Sequence, residues 1–198
     1  MPDDVVVLPA DDPRCQSLSA DGWRVTARSW AARLGVRPHH SSKWRAAVAR
    51  LAATDSHREM REDDVPAALA LDAATAGDYP GSVATAHEPL TPARAMPSER
   101  RRGFGVFDEG GELVAMTFLD IGADGESAEV DFTVVAPQRR RQGLATAVKA
   151  ASLLALMEHG VTLVRTGGSD ENHGILAANH ALGFCLDEHW VTMSPPAR

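Results

Sequence analysis

Apolar residues alternate with polar ones in some stretches of this chain and recur every three or four positions in others, and the change of period marks the elements. After residue 56 the pattern is sharp. HREMR (57–61) reads as a short strand. DVPAALALDAATA (64–76) reads as a helix with Pro66 in its first turn and Asp63 or Asp64 as its cap. Pro80, Pro89, Pro92 and Pro97 make 77–97 a loop broken by at most a short helix. Three strands follow, GFGVFD (103–108), ELVAMTFLDI (112–121) and AEVDFTVVA (128–136), the first two joined by a hairpin turn at 108–111. GLATAVKAASLLALMEHG (143–160) is a helix ending at Gly160, VTLVRTGG (161–168) a strand, HGILAANHALG (173–183) a helix closed by Gly183, and HWVTM (189–193) a last strand.

Before residue 56 the pattern is weaker. VVVL (5–8) and GWRVTARSW (22–30) read as strands, and SSKWRAAVARLAA (41–53) as a helix capped by Ser41 or Ser42. The best boundary lies near 54–57, dividing an N-terminal extension, 1–56, from a main domain, 57–198. Strands alternating with helices predict an α/β fold with a mixed sheet and a helix-crossed parallel pair at its centre.

Composition narrows the partners. The chain has 198 residues, 44% of them hydrophobic, with 20 Lys+Arg against 27 Asp+Glu and a formal net charge of -7. Acidity argues against a general nucleic-acid binder. Two cysteines, Cys15 and Cys185, make neither a disulfide framework nor a zinc site, so no metal is expected. The run 5–8 is too short for a signal peptide or membrane span. The expectation is a cytoplasmic protein with no membrane partner.

The stretch VVAPQRRRQGLA (134–145) holds the densest candidate chemistry: a strand stopped by Pro137, then Arg139, Arg140 and Arg141, then Gly143 opening a helix. A helix N-terminus leaves backbone N–H groups without partners and carries partial positive charge. Gly143 admits close approach of a ligand, and Ala145 is the next smallest choice beside it. Such a turn suits a pyrophosphate. The alternative is a solvated basic turn.

A second stretch, GSDENHGILAANHALGF (168–184), favours the first reading. Arg140-Arg-Gln-Gly143-Leu-Ala145 after a strand, followed by Asn172, Asn179 and Leu182-Gly183-Phe184 on the next helix, resembles the GNAT superfamily of acyl-CoA-dependent N-acetyltransferases. The resemblance covers about 57–193. It implies a mixed sheet flanked by helices and splayed at its centre, with acetyl-CoA as co-substrate entering the gap. Thr133, Val134 and Val135 would pair with the pantetheine arm. Arg140, Arg141, Gln142, Gly143, Leu144, Ala145 and Thr146 would wrap the pyrophosphate. Asn172 would bond the pantetheine or a nearby backbone group. Asn179 stands where many relatives carry a tyrosine that protonates the departing thiolate. A subgroup resembling mycothiol synthase also carries Asn there, and Asn can still donate a hydrogen bond to sulfur.

The implied reaction is attack of a neutral amine on the thioester, which needs a base and a donor for the oxyanion, here the Val135 N–H. Alternation puts Glu129, Asp131, Thr133 and Val135 on one strand face. Asp131 is the first candidate base and Glu129 the second, and the alternative is that either simply faces solvent. His173 and His180 are further proton sources. Cys185 reads as a buried small residue, and Trp190 as core or pocket wall. The loop 77–102, with Tyr79, Asp78 and Glu88, should border the acceptor, expected to be a small-molecule primary amine. A protein N-terminus or lysine, or a non-catalytic acyl-CoA-binding module, are the competing readings. Trp23, Trp30 and Trp44 must be buried against the main domain or a partner, which leaves the extension as a truncated second domain, a homodimer arm or a lid.

Overall fold

The computed structural model describes residues 5–78 and 83–196. Its elements in chain order are β1 (Val6–Pro9), α1 (Arg14–Ala20), β2 (Arg24–Gly35), α2 (Ser41–Val48), β3 (Ser56–Glu59), α3 (Val65–Thr75), α4 (Pro92–Ala95), β4 (Arg101–Phe107), β5 (Leu113–Ile121), β6 (Ser127–Val135), α5 (Leu144–Glu158), β7 (Leu163–Ser169), α6 (His173–Leu182) and β8 (Cys185–Ser194). The strands form one eight-stranded sheet in the order β1-β8-β2-β7-β6-β5-β4-β3. Among these pairs only β6 and β7 run parallel, and α5 crosses between them. This is the mixed sheet with flanking helices that the pattern predicts.

Burial explains the layers. Every residue of β5 from Leu113 to Leu119 is buried, which a strand achieves only when both its faces are covered. The helices against it are α3 and α5. The main core gathers Phe104, Phe118, Phe132, Leu144, Leu153 and Leu156 with Trp30 and Trp44 of the N-terminal segment. A smaller cluster of Leu8, Val191 and Met193 is topped by Leu18, Trp23 and Cys15.

The N-terminal segment is built into the sheet. β2 lies between β7 and β8 and pairs antiparallel with both, so strands from both sides of residue 56 share one hydrogen-bonded ladder. Trp30 of β2 is 2% exposed and donates from Nε1 to the Ser169 carbonyl at 3.2 Å. A Cβ on Gly168 would stand 2.9 Å from the Trp30 ring, so the glycine makes room for the indole. Trp44 is fully buried and donates to the Leu182 carbonyl at 3.0 Å.

Differences from the sequence reading have local causes. α1 shows no apolar period and buries no residue completely, so pattern alone does not reveal it. β2 runs on to Gly35 because its partners on both sides extend it. α2 stops at Val48 and the chain turns, placing Leu51 on the core. Asp64 occupies the cap position of α3, but its carboxylate accepts from Arg58 and the Arg61 backbone N–H instead of capping. Cys185 is exposed, not buried.

Candidate active site

The parallel pair at the sheet centre is short. β6 and β7 pair only at Ser127–Leu163, Ala128–Val164 and Glu129–Arg165. Beyond that point the strands part. On the other side of β6 the register slips at Asp131: Phe118 faces Phe132, while Leu119 faces Val130. Such an extra residue bends a strand and strengthens its twist. Pro137 then ends pairing, since it has no N–H to give.

Two clefts of about 530 Å³ each open along this gap. Thr133, Asn172 and Ile175 line both, so the clefts meet there. The first cleft, toward the basic turn, is lined by Val134, Val135, Arg139, Arg140, Arg141, Gly143, Leu144, Ala145 and Thr146. The second is lined by Glu129, Asp131, His87, Glu88 and Arg94, with Trp30 and Trp190. Every expected cofactor residue except Gln142 and Asn179 thus lines the first cleft.

The basic turn is more differentiated than its sequence. Arg139 donates two hydrogen bonds to Asp55, at 3.1 and 2.9 Å, and one to Gln142 at 3.0 Å. Arg140 pairs with Asp78 and donates from Nε to the Val135 carbonyl at 3.3 Å. The Arg141 guanidinium has no hydrogen bond or ion pair among the described residues. Arg141 and Gly143 both take left-handed backbone conformations, with φ of 60° and 80°. Consecutive turns of this hand point N–H groups into one concavity. Gly143 is the cap residue of α5 with no side-chain cap, and the Ala147 N–H is the one that bonds back to its carbonyl. The Leu144, Ala145 and Thr146 N–H groups therefore have no partner within the helix.

Asn172 caps α6: its Oδ1 accepts from the Ile175 N–H at 3.2 Å. That leaves the amide nitrogen for the clefts. Asn179, two turns on, lines neither cleft. It is 1% exposed, and both its amide atoms lack a hydrogen-bond partner among the described residues. It borders a separate cavity on the far side of α6, together with His173, His180 and Cys185.

The four acidic-face positions of β6 do share the more open side, with Ala128, Val130, Phe132 and Val134 buried between them. The two carboxylates differ. Asp131 Oδ2 accepts from Arg94 at 2.8 Å and from Arg101 at 2.6 Å. Burial works against the Arg101 charge, but hydrogen bonds to Asp131 and Asp120 outweigh it and hold that guanidinium above its ordinary pKa. Asp131 Oδ2 is thus shared between two guanidinium groups, while no bond to Oδ1 is made among the described residues. Glu129 is exposed and has no side-chain partner among the described residues.

Sequence reasoning missed two features of the second cleft. Ser29, Trp30 and Ala31 of the N-terminal segment form one of its walls; the tryptophan cluster was the available signal. His87 also lines it, with Nε2 at 2.6 Å from Oδ1 of buried Asp72. Nothing in a proline-rich loop marks such a histidine. Tyr79 lies outside the described residues. Among those residues no group of three or more His, Cys, Asp and Glu could hold a metal ion, and no helix is long and apolar enough to cross a membrane.

Comparison with known proteins agrees with this fold. Similar solved structures include a tandem GNAT protein from the clavulanic acid biosynthesis pathway, at 22% identity and a TM-score of 0.67, covering 98% of this chain and 64% of that one. Others are GCN5-related N-acetyltransferases from Kribbella flavida, at 18% identity and a TM-score of 0.63, covering 98% and 68%, and from Sphaerobacter thermophilus, at 13% and 0.72, covering 98% and 60%. At these identities the likeness is one of fold, and it includes the N-terminal strands. The chain spans about two thirds of the length of these structures. No curated protein matches it. Residues 69–184 match the acetyltransferase (GNAT) family, and the chain belongs to that family.

Proposed function

We propose that this chain moves an acetyl group from acetyl-CoA to the primary amine of a small molecule by direct attack. The observation that carries the reading is the meeting of the two clefts at Thr133, Asn172 and Ile175. One cleft offers phosphate chemistry and the other acceptor chemistry, and a thioester at the junction would be reachable from both.

In the first cleft the free N–H groups of Leu144, Ala145 and Thr146, the left-handed Arg141 and Gly143 and the available Arg141 charge suit a pyrophosphate. Thr133, Val134 and Val135, on the strand edge left by the departure of β7, suit a pantetheine amide chain. In the second cleft the exposed Glu129 carboxylate suits an ammonium group, and Trp30 and Trp190 give apolar walls. Asp131 then orients Arg94 and Arg101 through its Oδ2. Asn179 takes its place here as the residue at the tyrosine position, buried on α6 and away from both clefts. The acceptor cleft, about 530 Å³ and walled by two tryptophans, has the size of a small-molecule site.

The test is thermal melting with and without acetyl-CoA, paired with free-thiol release over a panel of primary amines. Acetyl-CoA should raise the melting temperature, as a ligand of the native state must. Gly143→Asp should abolish that shift: the left-handed backbone is strained for any side chain, and a carboxylate would repel phosphate. An unshifted wild type, or an unchanged shift in a folded Gly143→Asp protein, would overturn the cradle. Binding without thiol release would leave an acyl-CoA-binding module.

A further inference from the structure

We propose that Thr133 orients the incoming amine: its side-chain oxygen accepts one N–H of the nucleophile and turns the nitrogen lone pair toward the thioester carbon, while Thr117 behind it is the positioning residue. This rests on the acyl-transfer reading above and deepens it.

The direction of two hydrogen bonds carries the argument. Thr117 and Thr133 are partners across the antiparallel β5–β6 pair, and Thr117 is fully buried. Thr117 Oγ1 lies 3.0 Å from the Phe132 carbonyl oxygen and 2.8 Å from Thr133 Oγ1. A carbonyl can only accept, so the one Thr117 hydroxyl hydrogen goes to Phe132. The contact between the hydroxyls then runs one way: Thr133 donates and Thr117 accepts. The chain from Thr133 through Thr117 to Phe132 uses both hydroxyl hydrogens. Thr133 keeps only lone pairs to offer, and no further bond occupies them among the described residues.

The place of that oxygen gives it a task. Thr133, Asn172 and Ile175 are the residues shared by the two clefts. The Ile175 side chain is apolar. Asn172 spends its Oδ1 on the Ile175 N–H, which leaves its amide nitrogen, a donor. Of the three shared side chains, Thr133 therefore brings the acceptor. A thioester carbonyl can meet the donor but has no hydrogen to give Thr133; an amine has. One N–H held on Thr133 limits the rotation of the nitrogen and aligns its lone pair for attack. That pair forms the C–N bond to the acetyl carbon, the C–S bond breaks, and sulfur leaves with the electron pair. Of the two hydrogens of a neutral primary amine, one passes to the sulfur as a proton and the other stays on nitrogen, facing Thr133. The Thr133 hydroxyl takes no proton itself. Without the Thr117 acceptor it would be free to turn its hydrogen into the cleft, against the N–H it is there to receive.

The experiment measures thiol release from acetyl-CoA across the panel of primary amines, over pH 5–9, for the wild type, Thr133→Val, Thr133→Ala, Thr133→Ser and Thr117→Val, with melting curves for each with and without acetyl-CoA. Thr133→Val, close in shape, should lower kcat/KM by roughly 10- to 100-fold, the size of one hydrogen bond to a nitrogen gaining charge in the attack. Thr133→Ala carries the same expectation and covers a Val variant that does not fold. The shape of the pH profile should not change, because no titrating group is removed. The acetyl-CoA melting shift should persist, since the backbone that faces the cofactor is unaltered. Thr133→Ser keeps the hydroxyl and should regain most of the rate. Thr117→Val should lower the rate in the same direction with the melting shift intact. Wild-type kcat/KM in the folded Val or Ala variant would overturn the proposal and leave acyl transfer standing. A Thr133→Ser protein as slow as Thr133→Val would overturn it in favour of packing by the methyl group, and a wild-type rate in Thr117→Val would overturn the positioning by Thr117. Loss of the acetyl-CoA shift in Thr133→Val would assign the oxygen to a pantetheine N–H instead. A wild type that binds acetyl-CoA but releases no thiol with any amine would overturn the proposal together with the enzyme reading.

Discussion

Asp55 and Arg139, 84 residues apart in sequence, meet through two hydrogen bonds of 3.1 and 2.9 Å, with the carboxylate almost wholly buried. The contact ties the turn before β3 to the basic turn before α5. It also removes Arg139 from the charge available to a ligand. Arg140 is similarly occupied by Asp78. Among the described residues, then, the three consecutive arginines divide into two anchors and one cation left for a ligand.

That division predicts separable effects. Arg141→Ala should weaken acetyl-CoA binding by roughly 10- to 150-fold, for a charged hydrogen bond of about 1.5–3 kcal/mol, at an unchanged melting temperature without ligand. Arg139→Ala should lower the melting temperature itself, because it leaves Asp55 buried and unpaired. Melting curves across an acetyl-CoA titration distinguish the two. Equal loss of affinity in both variants would show that Arg139 also reaches the phosphates.

Asp131→Asn should act mainly on stability. Removing the charge shared by Arg94 and Arg101 should cost about 1–3 kcal/mol, discounted for the partial exposure of the group. Turnover should fall less than 10-fold once the protein is folded. A loss of 10²-fold or more at an unchanged melting temperature would restore Asp131 as the base.

Lys149 on α5 is 1% exposed, its Nζ 3.5 Å from Thr166 Oγ1 and 5.5 Å from the Phe184 ring centroid. Burial pushes its pKa down from 10.5 to about 7. Between those values the unfolded chain holds a proton that the native state lacks, so this group's contribution to stability rises with pH across that window. Below about pH 7 both states are charged and the full desolvation cost is present. Each tenfold loss of proton affinity on folding corresponds to about 1.4 kcal/mol. Lys149→Met should therefore stabilise the protein by a few kcal/mol at pH 7 and below. The gain should shrink as pH approaches 10.5. Melting temperatures of both proteins from pH 6 to 10 provide the check, and a gain independent of pH would exclude the linkage.

Asn179 has two buried amide atoms without partners among the described residues, an arrangement that costs about 1–3 kcal/mol. Asn179→Leu, similar in volume, should raise the melting temperature and leave the acetyl-CoA shift and thiol release intact. Loss of thiol release from a stabilised variant would return Asn179 to the departing thiolate.

The chain's local order is enough to determine most of the elements after residue 56. The 3.6-residue and two-residue periods, with Gly160 and Gly183 in left-handed terminal turns, define α5, β7 and α6 because each is a property of near neighbours. The Arg140–Ala145 and Asn172–Phe184 stretches are legible for the same reason: a helix N-terminus and a capping Asn are local devices. Partnership is not local. Whether an arginine is free or bound depends on Asp55 and Asp78, brought from 84 and 62 residues away. Asp131 reads as a base from strand alternation and the family resemblance, and only the return of Arg94 and Arg101 to its side of the sheet occupies its Oδ2. The place of β2 between β7 and β8, its tryptophan against Gly168, and the pairing of His87 with Asp72 were decided by the tertiary fold, since each depends on segments that meet only when the sheet is complete.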